Sequence, residues 1–375
     1  MGRPANADTR TSAQDLQSII SLLDPRCGPA DAQQLLGGGG ELFRLAQTQH
    51  VAAVLHHRWS DSLLATAATG DRASWQRLAY TAAALPVLRR AETLGALRAL
   101  NQAGVEPIVM RGLWLAEKVY PDPAMRPYAD VDLVVPIESV NAAMQALGDR
   151  GYECHEDVAP IDPGQFRRLM AAGYYEGSGA WSKAISERLE VQLDLHTSLA
   201  VLSRAWWPYR PTPEYLYERT QPWTIDGIRA RAFEPHFSLI ALCENMCRHG
   251  LARPSRGNLL IRHYDVLLVC NTLGDDDWDR LVDDGRELHM GPHVATVLRA
   301  VEGMWGRHWP AGLVRRLSPG RLADGLARYA ATRPGWLGLR GRIALFHACA
   351  LGGPGRAAWF LAKNVTLGVR SLSRQ

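Results

Sequence analysis

The segment Tyr128–Val135 constrains the fold of this chain more than any other, and it reads YADVDLVV. Apolar residues at every second position alternate with Asp130 and Asp132, which is the period of a β-strand that has one apolar and one acidic face. Residues two apart on a strand lie about 6.5–7 Å apart at Cα, so the two carboxylates can converge on one or two hard cations such as Mg²⁺. Taken alone, the pair also fits an edge strand that carries two solvated acids.

A second strand of the same kind favours the metal-site interpretation. The segment Leu189–Leu199, LEVQLDLHTSL, alternates apolar residues with polar ones, and Asp194 and His196 share its polar face. Two acidic strands in one short sheet can present three carboxylates, those of Asp130, Asp132 and Asp194, to a single site.

The residues before the first acidic strand suit a phosphate group. An apolar run, Val105–Met110, ends at Arg111 and Gly112 and is followed by a short predicted helix. Gly112 would let the backbone approach phosphates, and turn amides there can donate to them. Arg111, and Arg126 in the proline-rich loop that follows, are candidates to clamp a triphosphate through paired hydrogen bonds.

This order of motifs resembles the uncharacterised nucleotidyltransferase family of the polymerase-beta-like nucleotidyltransferase superfamily. The resemblance runs from about Leu42 to Pro310 and is carried by an apolar strand, R/K-G, a helix ending in Tyr, Asp-Pro, Arg-Pro, D-x-D-L-V-V and a later D/E-x-H. Two positions depart from the pattern. Arg111 stands where the family usually has Lys, and Leu113 stands where the superfamily has the Ser of a Gly-Ser pair.

The resemblance implies a Mg²⁺-dependent (or Mn²⁺-dependent) transfer of a nucleoside monophosphate from ATP or another nucleoside triphosphate. The acceptor would be a hydroxyl of a small molecule, sugar or peptide. In a two-metal mechanism Asp130 and Asp132 would bridge the metals, and Asp194 would hold the metal nearer the acceptor and help to take its proton. His196 would orient Asp194 or contact the acceptor.

Two other functions stay open. A catalytically degenerate member that binds a nucleotide or a partner is favoured by Arg111 and Leu113. A metal-dependent hydrolase of phosphate esters would use the same three carboxylates. Retention of all three acids favours the transferase. The resemblance also places His249 and Asp265 at positions in the C-terminal helical domain where the family often carries the same residue types.

The periodicity predicts an α+β fold, with a small mixed-sheet nucleotidyltransferase core flanked by N-terminal and C-terminal helical regions. The predicted divisions are an N-terminal helical region at 1–102, the α+β core at 103–200, a linker and hairpin at 201–234, a C-terminal helical domain at 235–325 and a basic extension at 326–375.

Composition narrows the class of protein. The chain has 375 residues, of which 47% are hydrophobic and 21% charged, as in soluble globular proteins, and its net charge of +4 gives no strong sign of nucleic-acid binding. Six cysteines without a C-x-x-C pair fit a reducing compartment, so we predict a cytoplasmic protein. The extension at 326–375 is a candidate for contact with a membrane surface or an acidic partner, and the alternative is a helical extension with a solvated basic face.

Overall fold

The computed structural model describes residues 7–36, 42–66, 69–155, 162, 164, 178–187, 189–197, 213–252 and 259–318. The predicted basic extension at 326–375 lies outside these residues, so its proposed contact with a membrane or an acidic partner stays a prediction. Within the described part of the chain, no helix is both long enough and apolar enough to cross a membrane.

Helices precede the sheet. They are α1 (Ala7–Leu23), α2 (Pro29–Leu36), α3 (Leu42–Thr48), α4 (Ala52–Thr66) and the long α5 (Thr69–Gln102).

The central elements alternate between strands and helices. They are β1 (Ile108–Met110), α6 (Arg111–Lys118), β2 (Asp130–Val134), α7 (Val140–Asp149), β3 (Glu153–Cys154), β4 (Ser178–Ser186) and β5 (Leu189–His196). Single 3-10 turns at Pro123–Met125 and Ile137–Ser139 flank β2.

The remaining elements begin with a short helix and a hairpin. They are α8 (Pro213–Glu218), β6 (Thr220–Ile225), β7 (Ile228–Phe233), α9 (Pro235–Ala252), α10 (Leu260–Cys270), α11 (Asp275–Glu287), α12 (Gly291–Trp305) and α13 (Leu313–Leu317).

The seven strands form one mixed sheet in the order β3-β4-β5-β2-β1-β7-β6. Strand β2 lies in the middle of this order, antiparallel to β1 and parallel to β5. The predicted hairpin is present and extends the same sheet, because β7 pairs with β1 at Ile108 and Arg231. The predicted fold class, a mixed sheet flanked by helical regions, is confirmed, while the division boundaries stay predictions.

Helix α5 covers the apolar face of the sheet. Lys183 of β4 is the register partner of Val191 of β5, so its side chain lies on the same face as the buried apolar residues of β5. Glu92 of α5 accepts a hydrogen bond from Lys183 at 3.1 Å, which places the helix on that face. The acidic face of β2 and β5 is therefore turned away from α5.

Candidate active site

The register between β2 and β5 brings the predicted acids together. The two strands run in parallel, with Asp132 opposite Asp194 and Asp130 opposite Gln192. Register partners on adjacent strands point to the same face, and so does every second residue along each strand. Asp130, Asp132, Asp194 and His196 therefore project from one face of the sheet.

Asp132 is at the centre of this group and only 6% exposed. Its Oδ1 accepts a hydrogen bond from Nη1 of Arg111 at 2.9 Å and lies 3.1 Å from Nε2 of His196. One carboxylate oxygen is thus shared between a guanidinium and an imidazole, so the negative charge is compensated within the protein.

Asp194 is half-buried and is held by its own strand. Its Oδ1 accepts a hydrogen bond from the side-chain amide of Gln192 at 3.0 Å. This contact fixes one oxygen of the carboxylate and orients it on the acidic face of the sheet.

Asp132, Asp194 and His196 form a group that could hold a metal ion. Each offers one ligand atom, and these atoms lie within 4.8 Å of one another. Carboxylate oxygens and imidazole nitrogens are common ligands of divalent cations in proteins, so the donor set fits a metal.

Asp130 belongs to the same face but not to that group. It begins β2, is exposed, and lies two positions before Asp132. Although the residue as a whole is exposed, neighbouring atoms crowd its carboxyl. This desolvation, together with the charges of Asp132 and Asp194, raises the pKa of Asp130 above its ordinary value. A cation bound beside it would favour the ionised form.

Arg111 begins α6 directly after β1 and adopts a left-handed backbone conformation, with φ of 53°. Its side chain is 13% exposed. While Nη1 contacts Asp132, its Nε and Nη2 are buried and have no hydrogen-bond partner among the described residues. Two buried nitrogens of one guanidinium, with three N–H groups between them, therefore remain for an acceptor such as a phosphate oxygen.

Gly112 has a packing role that the sequence did not indicate. A Cβ built on it would lie 2.7 Å from Cβ of Tyr128 and 3.3 Å from Cγ of the same residue. Only glycine therefore allows α6 to approach the residues that lead into β2. Leu113, at the position of the superfamily's Ser, is fully buried.

Arg126, a predicted phosphate-binding residue, makes its contacts with groups of the protein itself. Its Nε and Nη2 each donate to a different oxygen of Asp265 at 2.8 Å, and Nη1 donates to the carbonyl of Pro127 at 2.6 Å. The hydroxyl of Tyr120 donates to Asp265 at 2.7 Å. The guanidinium of Arg126 is thus paired within the protein, and its role in phosphate binding stays a prediction.

Asp265 is the buried centre of this second cluster, at 1% exposed. Burial by itself would lower the pKa of Arg126, but the carboxylate of Asp265 raises that pKa above its ordinary value. Burial and the same carboxylate raise the pKa of Tyr120. Periodicity alone gives no sign of this pairing. Only the resemblance had drawn attention to Asp265.

Comparison with known proteins identifies the chain's family. The family model described as an uncharacterised nucleotidyltransferase matches residues 39–306, which is most of the chain. No curated protein matches the chain. The matched segment contains the whole carboxylate cluster, with Arg111, and the Arg126–Asp265 pair. The chain belongs to the uncharacterised nucleotidyltransferase family.

Proposed function

We propose that the protein is a divalent-metal-dependent nucleotidyltransferase. It moves a nucleoside monophosphate from ATP or another nucleoside triphosphate to a hydroxyl of a small molecule, sugar or peptide. The observation that supports this most strongly is the pairing of Asp132 with Asp194 across two parallel strands, with His196 beside them, in a chain of this family.

Asp132 and Asp194 would hold Mg²⁺ or Mn²⁺, and Asp130 would supply the third carboxylate from the exposed start of β2. When bound, a divalent ion neutralises phosphate charge and polarises the reacting phosphoryl group. The role of the protein is to place these carboxylates on one rigid face of the sheet, where the pairing of β2 with β5 fixes their spacing.

Arg111 would bind the phosphates. Its buried Nε and Nη2 are donors without an acceptor among the described residues, and a phosphate offers oxygens at the spacing that a guanidinium prefers. The side chain of Met110, the N-cap residue of α6, makes no hydrogen bond to the first amides of this helix, and an anion bound there would accept from them.

Asp194 would serve the acceptor. Gln192 holds Oδ1 of this carboxylate, and its other oxygen would accept the proton of the acceptor hydroxyl. The hydroxyl oxygen then forms a bond to the α-phosphorus while the bond from that phosphorus to the bridging oxygen breaks. Pyrophosphate leaves with the bond's electron pair.

A second candidate, nucleotide binding without turnover, is favoured by two observations. The Asp132 carboxylate already contacts Arg111 at 2.9 Å and His196 at 3.1 Å, so a metal must compete with a fixed cation for Oδ1. Leu113 adds no hydroxyl at the position where the superfamily has Ser. A degenerate site would bind a triphosphate through Arg111 and leave it intact.

The test is a labelling experiment with the whole protein, with either Mg²⁺ or Mn²⁺, and with a metabolite extract as the pool of acceptors. Each nucleoside triphosphate is supplied with its label on either the α- or the γ-phosphate. We expect the α-label in a new product and the γ-label in pyrophosphate. Asp194→Asn should reduce transfer by about a hundredfold or more, since a metal site contributes several kcal/mol, whereas Asp276→Asn, at an exposed acid of α11, should not.

Other label patterns would contradict the transferase. Release of the γ-label as inorganic phosphate, with the α-label left on the nucleoside diphosphate, indicates a hydrolase. Bound but unchanged triphosphate in every mixture indicates the degenerate binding protein.

A further inference from the structure

We propose that His196 is a ligand of the metal ion held by Asp132 and Asp194, and that the site therefore selects a first-row transition-metal dication over Mg²⁺. This inference rests on the proposed function, in which the same site holds a divalent ion. It adds a nitrogen ligand to the predicted carboxylates and names the class of metal.

The position of the His196 ring supports this assignment. His196 is 3% exposed, and the side-chain hydrogen bond described for it is the 3.1 Å contact between Nε2 and Oδ1 of Asp132. Two ligand atoms that are each about 2.1 Å from one ion, at right angles, lie about 3.0 Å apart. The 3.1 Å distance between Nε2 of His196 and Oδ1 of Asp132 therefore suits two adjacent ligands of one metal ion as well as a hydrogen bond.

The charge of the cluster points to a cation. Three carboxylates, those of Asp130, Asp132 and Asp194, share the face, and Arg111 contacts one of them, Asp132, at 2.9 Å. Anions in a partly buried site are costly unless they are compensated.

The donor set decides between metals. Mg²⁺ prefers oxygen ligands and keeps several of its waters, whereas imidazole nitrogen suits transition metals. Affinity for these metals rises from Mn²⁺ to Cu²⁺ and is lower again for Zn²⁺. A site of two carboxylates alone would discriminate less between these ions than one that includes His196. The alternative is that His196 only donates a hydrogen bond that positions Asp132.

His196→Gln separates these two roles, because Gln keeps an N–H donor but is a poor metal ligand. His155→Gln is the matched control, since His155 is exposed and contacts Ser182 and not the cluster. The three proteins are studied without nucleotide. Calorimetry gives the affinities for Zn²⁺ and Mg²⁺, and electron paramagnetic resonance of bound Mn²⁺ reports nitrogen hyperfine coupling.

We expect Mn²⁺ bound to the wild-type protein to show the coupling of a coordinated imidazole. His196→Gln should lose that coupling and bind Zn²⁺ at least about 10-fold to 100-fold more weakly, because loss of a group that only orients a ligand already costs that much. Its Mg²⁺ affinity should change much less, so the ratio of Zn²⁺ to Mg²⁺ affinity falls. His155→Gln should behave as the wild type does.

The coupling in the wild type needs no variant, so the result does not depend on how well His196→Gln folds. Bound Mn²⁺ without nitrogen coupling, or an unchanged ratio of Zn²⁺ to Mg²⁺ affinity in His196→Gln, would overturn the assignment of His196 and leave the proposed function standing. Failure of the wild type to bind any of these ions, both in this experiment and when it is repeated with ATP, would overturn both.

Discussion

At the scale of single residues, Oδ1 of Asp132 is the atom for which a metal ion and Arg111 would compete. It accepts the 2.9 Å hydrogen bond of Arg111 and lies 3.1 Å from Nε2 of His196. A metal cation that binds this oxygen competes with the guanidinium of Arg111. A triphosphate, by contrast, is attracted by the positive charge of that guanidinium. Arg111 should therefore oppose the free metal and support the metal–nucleotide complex.

Arg111→Gln should consequently have effects of opposite sign. Mg²⁺ binding without nucleotide should tighten about fivefold, which corresponds to roughly 1 kcal/mol from removing one nearby positive charge. Binding of the Mg²⁺–triphosphate complex should weaken about tenfold, since charge-assisted hydrogen bonds contribute about 1.5–3 kcal/mol. Arg111→Lys should fall between Arg111→Gln and the wild type.

Calorimetry with and without triphosphate measures both effects. Arg307→Gln, at an exposed position, is the control for loss of an arginine and should change neither affinity. Weakening of both affinities in Arg111→Gln would indicate that Arg111 holds the fold of the site and does not compete with the metal.

At the scale of elements, the sequence predicts those strands whose side chains alternate. Strands β2 and β5 and the hairpin follow from period-two patterns and from the Asp226-Gly227 turn, whose residues have φ of 48° and 76°. Strand β4 is not predicted, because SGAWSKAIS is rich in small residues with little strand preference and owes its pairing to β5.

The junction between α6 and β2 also lies beyond sequence reasoning. The sequence predicts that Gly112 allows the backbone to approach a phosphate. In the structure Gly112 also lies close to the side chain of Tyr128. Which atoms meet a glycine depends on how two elements pack, and a linear pattern carries no such information.

Gly112→Ala should destabilise the protein by about 1–3 kcal/mol, because its Cβ would lie 2.7 Å from Cβ of Tyr128 in a packed junction. Gly148→Ala in α7 is the matched control, since a Cβ there meets no atom within 4 Å. That change should be neutral or stabilise by up to about 1 kcal/mol. Denaturant unfolding of both variants gives the comparison, and equal effects would show that the approach of α6 to Tyr128 is not tight.

At the scale of the whole molecule, Asp265 joins the central elements to the C-terminal helices. It lies on α10 and binds Arg126 and Tyr120, which precede β2 in the chain. Arg126 is also close enough to Asp130 for that carboxylate to raise its pKa. The sequence could not pair these residues, because the pairing arises only when the helices pack against the sheet.

Asp265→Asn should cost about 3–5 kcal/mol of unfolding free energy, the cost of leaving a buried charge without its partner. Adding Arg126→Met should recover part of this loss, since the double variant has no unpaired buried guanidinium. The exposed pair of Asp279 and Arg316 provides the control, and Asp279→Asn should cost less than about 1 kcal/mol. Additive losses for Asp265→Asn and Arg126→Met would show that the two residues are not coupled.

In the proposed function Asp130, Asp132 and Asp194 act as one site for nucleotidyl transfer. Single-turnover release of pyrophosphate, from the triphosphate that the labelling experiment identifies, measures whether they do. Asp130→Asn, Asp132→Asn and Asp194→Asn should each remove most of this activity, and combining Asp132→Asn with Asp194→Asn should add little, because residues that act as a unit are not additive. Turnover at the wild-type rate in Asp194→Asn would contradict the proposal that the three carboxylates form one catalytic site.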